Sequence, residues 1–311
     1  MNQAEQLSGS TALLTGASGF IGSHLARRLL ESGVTVHAVS RQRQSSEREN
    51  LRCWQADMND QAAVRELFHN TRPDFVFHLA SHVAGARDLA KVLPTFHDNL
   101  ASTVYLLTTA AETGCRRMVL ANSSEEPQGL DGTVPCSPYA VAKWASGAYA
   151  RMFHELYDTP VVIPRIFMTY GPDQKDLQKL VPFVTLKLLA GEAPKLSSGR
   201  RRADWVYVDD VVEGLMRAAA VSGIEGCTFD LGSGLLSSVR DVVGHIVQLT
   251  ESRVEPEFGA LPDRPMEQER AADTVFLRER LNWFPRTSLR EGLAATVSWY
   301  QQHHSGVAQI R

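Results

Sequence analysis

One short stretch of the chain collects side chains that can move protons. Residues 119–143 read VLANSSEEPQGLDGTVPCSPYAVAK and include two serines, two glutamates, a tyrosine and a lysine. Tyr139 and Lys143 are four residues apart, so on a helix they share one face. Because an ammonium group beside a phenol favours the phenolate, we expect Lys143 to lower the pKa of Tyr139 into a range useful for acid–base catalysis. The hydroxyl of Ser123 or Ser124 is placed to hydrogen-bond the same substrate oxygen.

The adjacent carboxylates, Glu125 and Glu126, admit more than one role. Two carboxylates in different environments can divide the work of a general acid and a general base. They can also hold a substrate in place, or form an exposed pair on a solvated loop. Tyr-x-x-x-Lys alone usually marks a surface helix, so its significance depends on the rest of the chain.

A glycine-rich turn near the start of the chain predicts a dinucleotide site. TGASGFIG, residues 15–22, follows the strand-like run TALLT and opens the helical pattern FIGSHLARRLLESG. Gly16, Gly19 and Gly22 permit a tight turn and let a pyrophosphate approach, while the helix start at Phe20 and Ile21 offers free N–H groups to that anion. Beside a nicotinamide that moves a hydride, the tyrosine would move the proton. The alternative is a tight strand–helix turn without a ligand.

The tip of the second strand bears on which dinucleotide is bound. A carboxylate about 20 residues past the glycines usually meets free ribose hydroxyls. Here the strand ends AVSRQRQ, so Ser40 and Arg41 occupy the tip, with Arg43 close behind. Because an arginine fork suits a 2′-phosphate, we predict NADP(H) in preference to NAD(H); otherwise Arg41 is a solvated loop charge. Asp57, after the third strand, is expected to meet the adenine or else to cap the next helix.

The elements that carry these residues alternate between strand and helix over the first half of the chain. This order predicts an α/β fold: a Rossmann-type, doubly wound parallel sheet with helices on both faces. We expect a dinucleotide-binding domain at residues 1–170 plus about 204–232. A smaller C-terminal substrate-binding lobe would take about 171–203 and 233–311.

Bulk composition narrows the class of protein. Apolar residues make up 43 % of the chain, charged residues 22 %, and the net charge is −3, so neither a nucleic acid nor a membrane is an expected partner. The N-terminal residues are polar and no apolar run approaches the roughly 20 residues of a membrane span, so we expect a cytoplasmic protein. The cysteines show no CxxC spacing, so we predict reduced thiols and no metal site; they are Cys53, Cys115, Cys136 and Cys227.

Together these motifs resemble the extended short-chain dehydrogenases/reductases that act on nucleotide sugars. The resemblance runs nearly end to end and rests on TGASGFIG, DFVFHLAS, NLAST, SSEE, SPYAVAK, RIFMTYGPDQ, ADWVYVDDVV and LNWFPRTSLREGLAATVSWY. It implies a C-terminal lobe that holds a nucleotide-diphosphate sugar, and Tyr139 as the acid/base supported by Lys143 and Ser124. It also implies a homodimer built on the helices around 99–113 and 139–156.

The resemblance extends to further contacts. Lys143 would grip the cofactor's ribose hydroxyls, next to Tyr139. Other expected cofactor contacts are Met58, Leu79, Ala80, Ser81 and Asn99. Expected substrate contacts are His82, Ser123, Arg202 and Arg264, with Arg201 and Arg270 as further candidates for the diphosphate or the sugar.

Within this family SSEE fits several reactions. In sugar 4,6-dehydratases such a pair removes water, with Glu126 matching the base and Glu125 the acid; in 4-epimerases these positions are usually small or neutral. The motif also resembles reductases of 4-keto-6-deoxy sugar nucleotides, which exchange their cofactor at every turnover. The strand tip therefore favours an NADP(H)-dependent reductase of a nucleotide-linked 4-keto-6-deoxy sugar over an NAD-dependent dehydratase or epimerase. A non-catalytic dinucleotide-binding sensor or scaffold is the alternative from another class.

Overall fold

The structure is a computed structural model that describes residues 6–46, 48–83, 87–127, 134–264, 266 and 268–303. The chain forms two compact units. Unit one comprises Met1–Ile166, Val212–Leu231 and Val275–Trp283. Unit two comprises Phe167–Val211, Gly232–Thr274 and Phe284–Arg311.

The strands are β1 Thr11–Thr15, β2 Thr35–Ser40, β3 Leu51–Gln55, β4 Phe75–His78, β5 Arg117–Leu120, β6 Asn122–Ser123, β7 Val161–Ile166, β8 Met168–Tyr170, β9 Lys195–Leu196, β10 Arg202–Tyr207, β11 Thr228–Leu231, β12 Leu236–Ser238 and β13 Glu257–Phe258. The α-helices are α1 Phe20–Glu31, α2 Gln61–Thr71, α3 Val92–Thr95, α4 Ser102–Thr113, α5 Pro138–Tyr157, α6 Leu180–Leu189, α7 Val208–Ala220, α8 Val239–Thr250, α9 Val275–Glu279 and α10 Leu289–His303. A 3-10 turn at Leu89–Lys91 precedes α3, and a π-helix at Phe96–Ala101 joins α3 to α4.

Unit one is built on a parallel sheet with the strand order β11-β7-β5-β4-β1-β2-β3, and the short β6 lies beside β7. Ala12, Leu13 and Leu14 of β1 are fully buried. A continuous apolar run of this kind is typical of a strand covered on both faces. The predicted Rossmann-type fold is confirmed. The direction of chain progression reverses between β1 and β4, where such sheets open a crevice at the carboxyl ends of the strands.

Local capping explains where the helices of unit one begin. Asp60 caps α2 by accepting hydrogen bonds from the N–H groups of Ala62 and Ala63. Asp60, and not Asp57, is therefore the cap of this helix. Helix α5 begins after Ser137, whose hydroxyl accepts from the Ala140 N–H, and Pro138 follows in the first turn, where its missing N–H costs nothing.

Unit two contains a three-stranded sheet, β12-β10-β8, and the β9–β13 pair. Its core includes Tyr170, Trp205 and Val243. Because β10 pairs with β8 and β12, Arg202–Tyr207 belongs to unit two, whereas the sequence-based boundary placed residues from 204 onward in the first domain.

The segment Val275–Trp283 also departs from the sequence-based boundaries, because it belongs to unit one. Trp283 is buried, and a Cβ on Gly214 of α7 would lie 3.0 Å from its ring. The indole of Trp283 therefore packs closely on Gly214 within unit one. The assignment of separate cofactor and substrate roles to the two units remains a prediction.

Candidate active site

The glycine turn between β1 and α1 leaves no room for side chains at two positions. Gly16 has φ +74°, and a Cβ there would lie 2.7 Å from the backbone N of Ala80. A Cβ on Gly22 would lie 2.0 Å from the carbonyl oxygen of Gly16. Both contacts are with backbone atoms. Glycine is therefore required at position 16 for the turn to pack against the end of β4, and at position 22 for α1 to pack on the turn itself.

The start of α1 is free to bind an anion. Gly19 is the N-cap residue, and no side chain caps the helix there. The first N–H groups of a helix have no partner within the helix, so those of Phe20, Ile21 and Gly22 can be offered to a ligand. This arrangement fits a dinucleotide pyrophosphate.

The carboxyl ends of β2 and β3 form one side of the expected cofactor site. Arg41 lies 3.3 Å from the Asp98 carboxylate, and 68 % of its side chain is exposed. The Ser40 hydroxyl accepts from the Gln42 N–H at 3.2 Å. The Asp57 carboxylate accepts from the Asn59 N–H at 2.9 Å, which shapes the turn after β3. In the same turn, Met58 is buried in the core of unit one.

The end of β4 forms the other side. The Leu79 N–H donates to the Thr15 carbonyl at 3.3 Å, and the Ala80 N–H to the Thr15 hydroxyl at 3.2 Å. Asn99 is buried in the π-helix, and its amide oxygen accepts from the Ser81 hydroxyl at 3.0 Å and the His82 N–H at 2.6 Å. π-Helical turns occur frequently at functional sites. The expected cofactor residues of β4 and the π-helix thus lie together.

Asp98 and His78 were not among the predicted site residues. The Asp98 carboxylate accepts from Asn59 Nδ2 at 2.9 Å as well as from Arg41, and so joins the loops after β2 and β3. His78 is fully buried and hydrogen-bonded to the hydroxyls of Thr15 at 2.7 Å and Thr103 at 3.1 Å. Burial lowers the pKa of His78 to about 3, so it bonds these hydroxyls as a neutral imidazole. In the sequence, His78 is a polar residue at the end of an otherwise apolar strand, and this pattern could have marked it as a site residue.

Tyr139 lies on the first turn of α5 and is buried. Its hydroxyl is hydrogen-bonded to the Ser123 side chain. Burial raises the pKa of Tyr139 well above its usual value. The prediction that Lys143 lowers this pKa is wrong, because burial dominates and the Lys143 ammonium lies 6.0 Å from the ring centroid. At neutral pH the phenol therefore carries its proton.

Lys143 is buried one helical turn further along α5. Its ammonium donates to the Ala121 carbonyl at 2.7 Å, and burial lowers its pKa to about 8. Asn122, which sequence reasoning missed, donates to the Lys143 carbonyl at 3.0 Å and links α5 to β6. The lysine is thus held in place next to Tyr139.

The two glutamates occupy different environments. Glu125 is exposed, and its N–H donates to the Ser123 hydroxyl at 3.2 Å. Glu126 is buried, and its carboxylate accepts from the Ser123 N–H at 3.1 Å. Burial raises the pKa of Glu126, while the Ser123 N–H and then the charges of Arg165 and Lys143 oppose this shift.

Ser123, rather than Ser124, is the serine bonded to Tyr139. Ser124 is partly exposed, and its N–H donates to the Ile166 carbonyl at 3.0 Å. The resemblance had favoured Ser124 as the supporting serine. The geometry favours Ser123.

The expected substrate arginines Arg202 and Arg264 lie in unit two. Arg202 forms an ion pair with Glu269 at 3.0 Å, and Arg264 is exposed. Their contact with a substrate remains a prediction. Over the described residues, no cluster of His, Cys, Asp or Glu side chains is suited to a metal ion. Across those same residues, no helix has both the length and the apolar character needed to cross a membrane.

The parallel sheet, the glycine turn with its uncapped helix and the buried tyrosine–lysine pair define a nicotinamide-dinucleotide-dependent enzyme of the Rossmann type. A sequence profile described as the NAD dependent epimerase/dehydratase family matches residues 12–232. The chain belongs to this family, and the predicted resemblance to nucleotide-sugar enzymes is confirmed.

Several relatives that align with more than nine-tenths of the chain support this assignment. A UDP-glucose 4-epimerase of Mycolicibacterium smegmatis is 32 % identical, with 93 % of this chain and 98 % of that protein aligned. A dTDP-glucose 4,6-dehydratase of Streptomyces griseus is 29 % identical, with 94 % of each aligned. The solved structure of MoeE5 in complex with UDP-glucose and NAD has a TM-score of 0.84 and 30 % identity, and covers 94 % of this chain and 99 % of MoeE5.

Proposed function

We propose that the chain is an NADP(H)-dependent reductase of a nucleotide-linked 4-keto-6-deoxy sugar. The observation that carries this proposal is the buried position of the Tyr139 hydroxyl, bonded to the Ser123 side chain, where burial raises its pKa. A protonated phenol beside a second hydroxyl suits proton donation to a ketone oxygen.

The side chains around Tyr139 divide the work of this reaction. When bound, the dinucleotide supplies the hydride. Tyr139 gives its proton to the oxygen on C4 of the sugar, and the Ser123 hydroxyl orients that oxygen. The Lys143 ammonium would bind the ribose hydroxyls of the cofactor.

The preference for NADP(H) rests on the tip of β2. Arg41 stands where NAD-binding proteins of this fold carry a carboxylate, and 68 % of its side chain is exposed. An exposed ion pair such as Arg41–Asp98 contributes only about 0–1 kcal/mol. A 2′-phosphate can therefore engage the free N–H groups of Arg41 at small cost.

We expect Arg41→Ala to weaken NADPH binding about tenfold, which corresponds to about 1.4 kcal/mol, because one charge-assisted contact is lost. NADH binding should be unchanged. Fluorescence titration with NADPH and with NADH measures the ratio of the two affinities. The control is Arg48→Ala, at another exposed arginine of the same loop. An unaltered ratio of NADPH to NADH affinity in Arg41→Ala would contradict the NADP(H) assignment.

An NAD-dependent 4,6-dehydratase is an alternative, which the Streptomyces griseus relative favours. That reaction would use Glu126 as the base, and burial raises the pKa of Glu126. A 4-epimerase that keeps NAD bound is the other candidate, favoured by the M. smegmatis relative, which is a UDP-glucose 4-epimerase.

The direct test of the proposed function is NADPH oxidation with dTDP- and GDP-linked 4-keto-6-deoxy sugars. The expected result is loss of NADPH absorbance and a product reduced at C4, identified by NMR. Conversion of UDP-glucose to UDP-galactose without net cofactor oxidation would instead establish the epimerase.

We infer that the chain forms a homodimer through α5. Val141 and Trp144, three residues apart on this helix, are 42 % and 46 % exposed, and Phe96 of the π-helix is 47 % exposed. Apolar side chains left in water at helical spacing are typical of a face that packs against another helix. The occupant we propose is the same helix of a second copy.

We expect Trp144→Glu to convert the dimer to a monomer, because it places a charge in an apolar interface. Sedimentation velocity measures the change, and Leu261→Glu, at an exposed leucine of unit two, is the control. A Trp144→Glu protein that sediments as wild type would show that α5 is not the interface.

A further inference from the structure

A row of polar side chains crosses three neighbouring strands behind Ser123. Asn122 of β6 is the register partner of Arg165 of β7, and Arg165 is the partner of Asp230 of β11. Partners on adjacent strands project to the same face of a sheet. Arg165 Nη2 lies 2.7 Å from Asp230 Oδ1, and Asp230 is buried. None of these three residues was assigned a role from the sequence.

Glu126 joins this row to the proposed catalytic site. Its buried carboxylate interacts with the charges of Arg165 and Lys143, and it accepts from the Ser123 N–H at 3.1 Å. The cluster thus holds two anions, Glu126 and Asp230, and two cations. Buried charges are tolerated when they are paired and hydrogen-bonded, so these groups depend on one another.

The geometry of the turn after β6 follows from this cluster. Glu126 fixes the backbone N–H of Ser123, and the Ser123 hydroxyl accepts from the Glu125 N–H at 3.2 Å. The same hydroxyl is bonded to Tyr139. If Glu126 were withdrawn, the turn would lose the bond that sets the direction of the Ser123 side chain.

We propose that Asp230, Arg165 and Glu126 form a positioning network that aims the Ser123 hydroxyl at Tyr139, and that Glu126 exchanges no proton with the substrate. This proposal rests on the proposed function, because it assigns the residues that prepare the same site. Asp230 forms an ion pair with Arg165, the positive charge of Arg165 acts on the buried Glu126 carboxylate, and Glu126 accepts from the Ser123 N–H. The three residues act through Ser123.

The first test compares Glu126→Gln with Glu126→Ala. Glutamine keeps an oxygen acceptor for the Ser123 N–H, whereas alanine removes it. We expect kcat to stay within about threefold of wild type in Glu126→Gln and to fall at least about tenfold in Glu126→Ala, with KM for the sugar little changed, because an interaction that prepares the reacting groups is lost. A glutamine variant as inactive as the alanine variant would overturn the proposal and make Glu126 a proton-transfer group.

The second test asks whether the residues act as one unit. Arg165→Met should lower kcat, and the double variant Arg165→Met/Glu126→Ala should lose less than the product of the two single losses, because residues in one network are not additive. Asp230→Asn, which keeps the shape of the side chain, is the milder variant if Arg165→Met does not fold. If the loss of kcat in a double variant that combines Glu126→Ala with Arg165→Met or Asp230→Asn equals the product of the two single losses, the positioning network is overturned.

A readout that needs no turnover separates this proposal from the proposed function. Amide hydrogen exchange over residues 119–127 reports whether the Ser123 N–H is held. Exchange should accelerate in Glu126→Ala and Arg165→Met and stay near the wild-type rate in Glu126→Gln. If no nucleotide sugar is turned over, the proposed function fails, but the exchange rates still show whether the positioning network exists. An unchanged exchange rate in Glu126→Ala would overturn the positioning network.

Discussion

Tyr139→Phe is expected to lower kcat between about 10²- and 10⁴-fold, the usual contribution of a positioned proton donor. Phenylalanine keeps the ring in its buried place and removes only the hydroxyl that is bonded to Ser123. Folding stability should therefore change by only about 1 kcal/mol, the net contribution of one hydrogen bond. Steady-state kinetics with a 4-keto-6-deoxy sugar nucleotide gives kcat, and NADPH titration shows whether the cofactor site is intact.

The matched control is Tyr149→Phe, which makes the same change at an exposed tyrosine of the same helix. This variant should turn over as wild type. Turnover of Tyr139→Phe within a few-fold of wild type would show that another group donates the proton. An unchanged biological effect in a catalytically dead Tyr139→Phe protein would favour a cofactor-binding sensor or scaffold.

Gly22→Ala is expected to abolish dinucleotide binding and to destabilise the fold. The new Cβ would lie 2.0 Å from the Gly16 carbonyl oxygen, and a backbone oxygen cannot move aside as a side chain can. Overpacking of this kind typically costs about 1–3 kcal/mol. The turn must also open, which displaces the N–H groups at the start of α1 from a bound pyrophosphate. Urea unfolding and NADPH titration measure the two effects.

Gly244→Ala makes the same substitution inside α8, where a Cβ meets no atom within 4 Å. It should leave cofactor binding unchanged and stabilise the protein by about 0.5–1 kcal/mol, because alanine is the better helix former. If Gly22→Ala binds NADPH as tightly as Gly244→Ala does, the glycine turn is not the pyrophosphate site.

Features that depend on short, periodic stretches of sequence were predictable. The apolar run before TGASGFIG and the helical spacing after it are enough to predict β1, the glycine turn and α1. The four-residue spacing of Tyr139 and Lys143 correctly places both on one helix. The parallel sheet follows from the alternation of such segments.

Features that depend on tertiary packing were not predictable. The direction of the Tyr139 pKa shift depends on how deeply α5 is buried, which outweighs the nearby lysine. The choice between Ser123 and Ser124 depends on the turn after β6, because adjacent residues there point in different directions. The Arg165–Asp230 pair depends on the register of β7 and β11, which lie far apart in the sequence.

The measurement that most directly tests the assignment of a reductase is identification of the dinucleotide in the purified protein. The protein would be denatured, any released dinucleotide identified, and NADPH and NADH affinities compared on the native protein. We predict a site that is empty on purification and binds NADPH more tightly than NADH, as a reductase that exchanges its cofactor requires. Release of about one equivalent of tightly held NAD per chain would contradict this and point to a 4,6-dehydratase or a 4-epimerase, each of which reoxidises its own cofactor in each cycle.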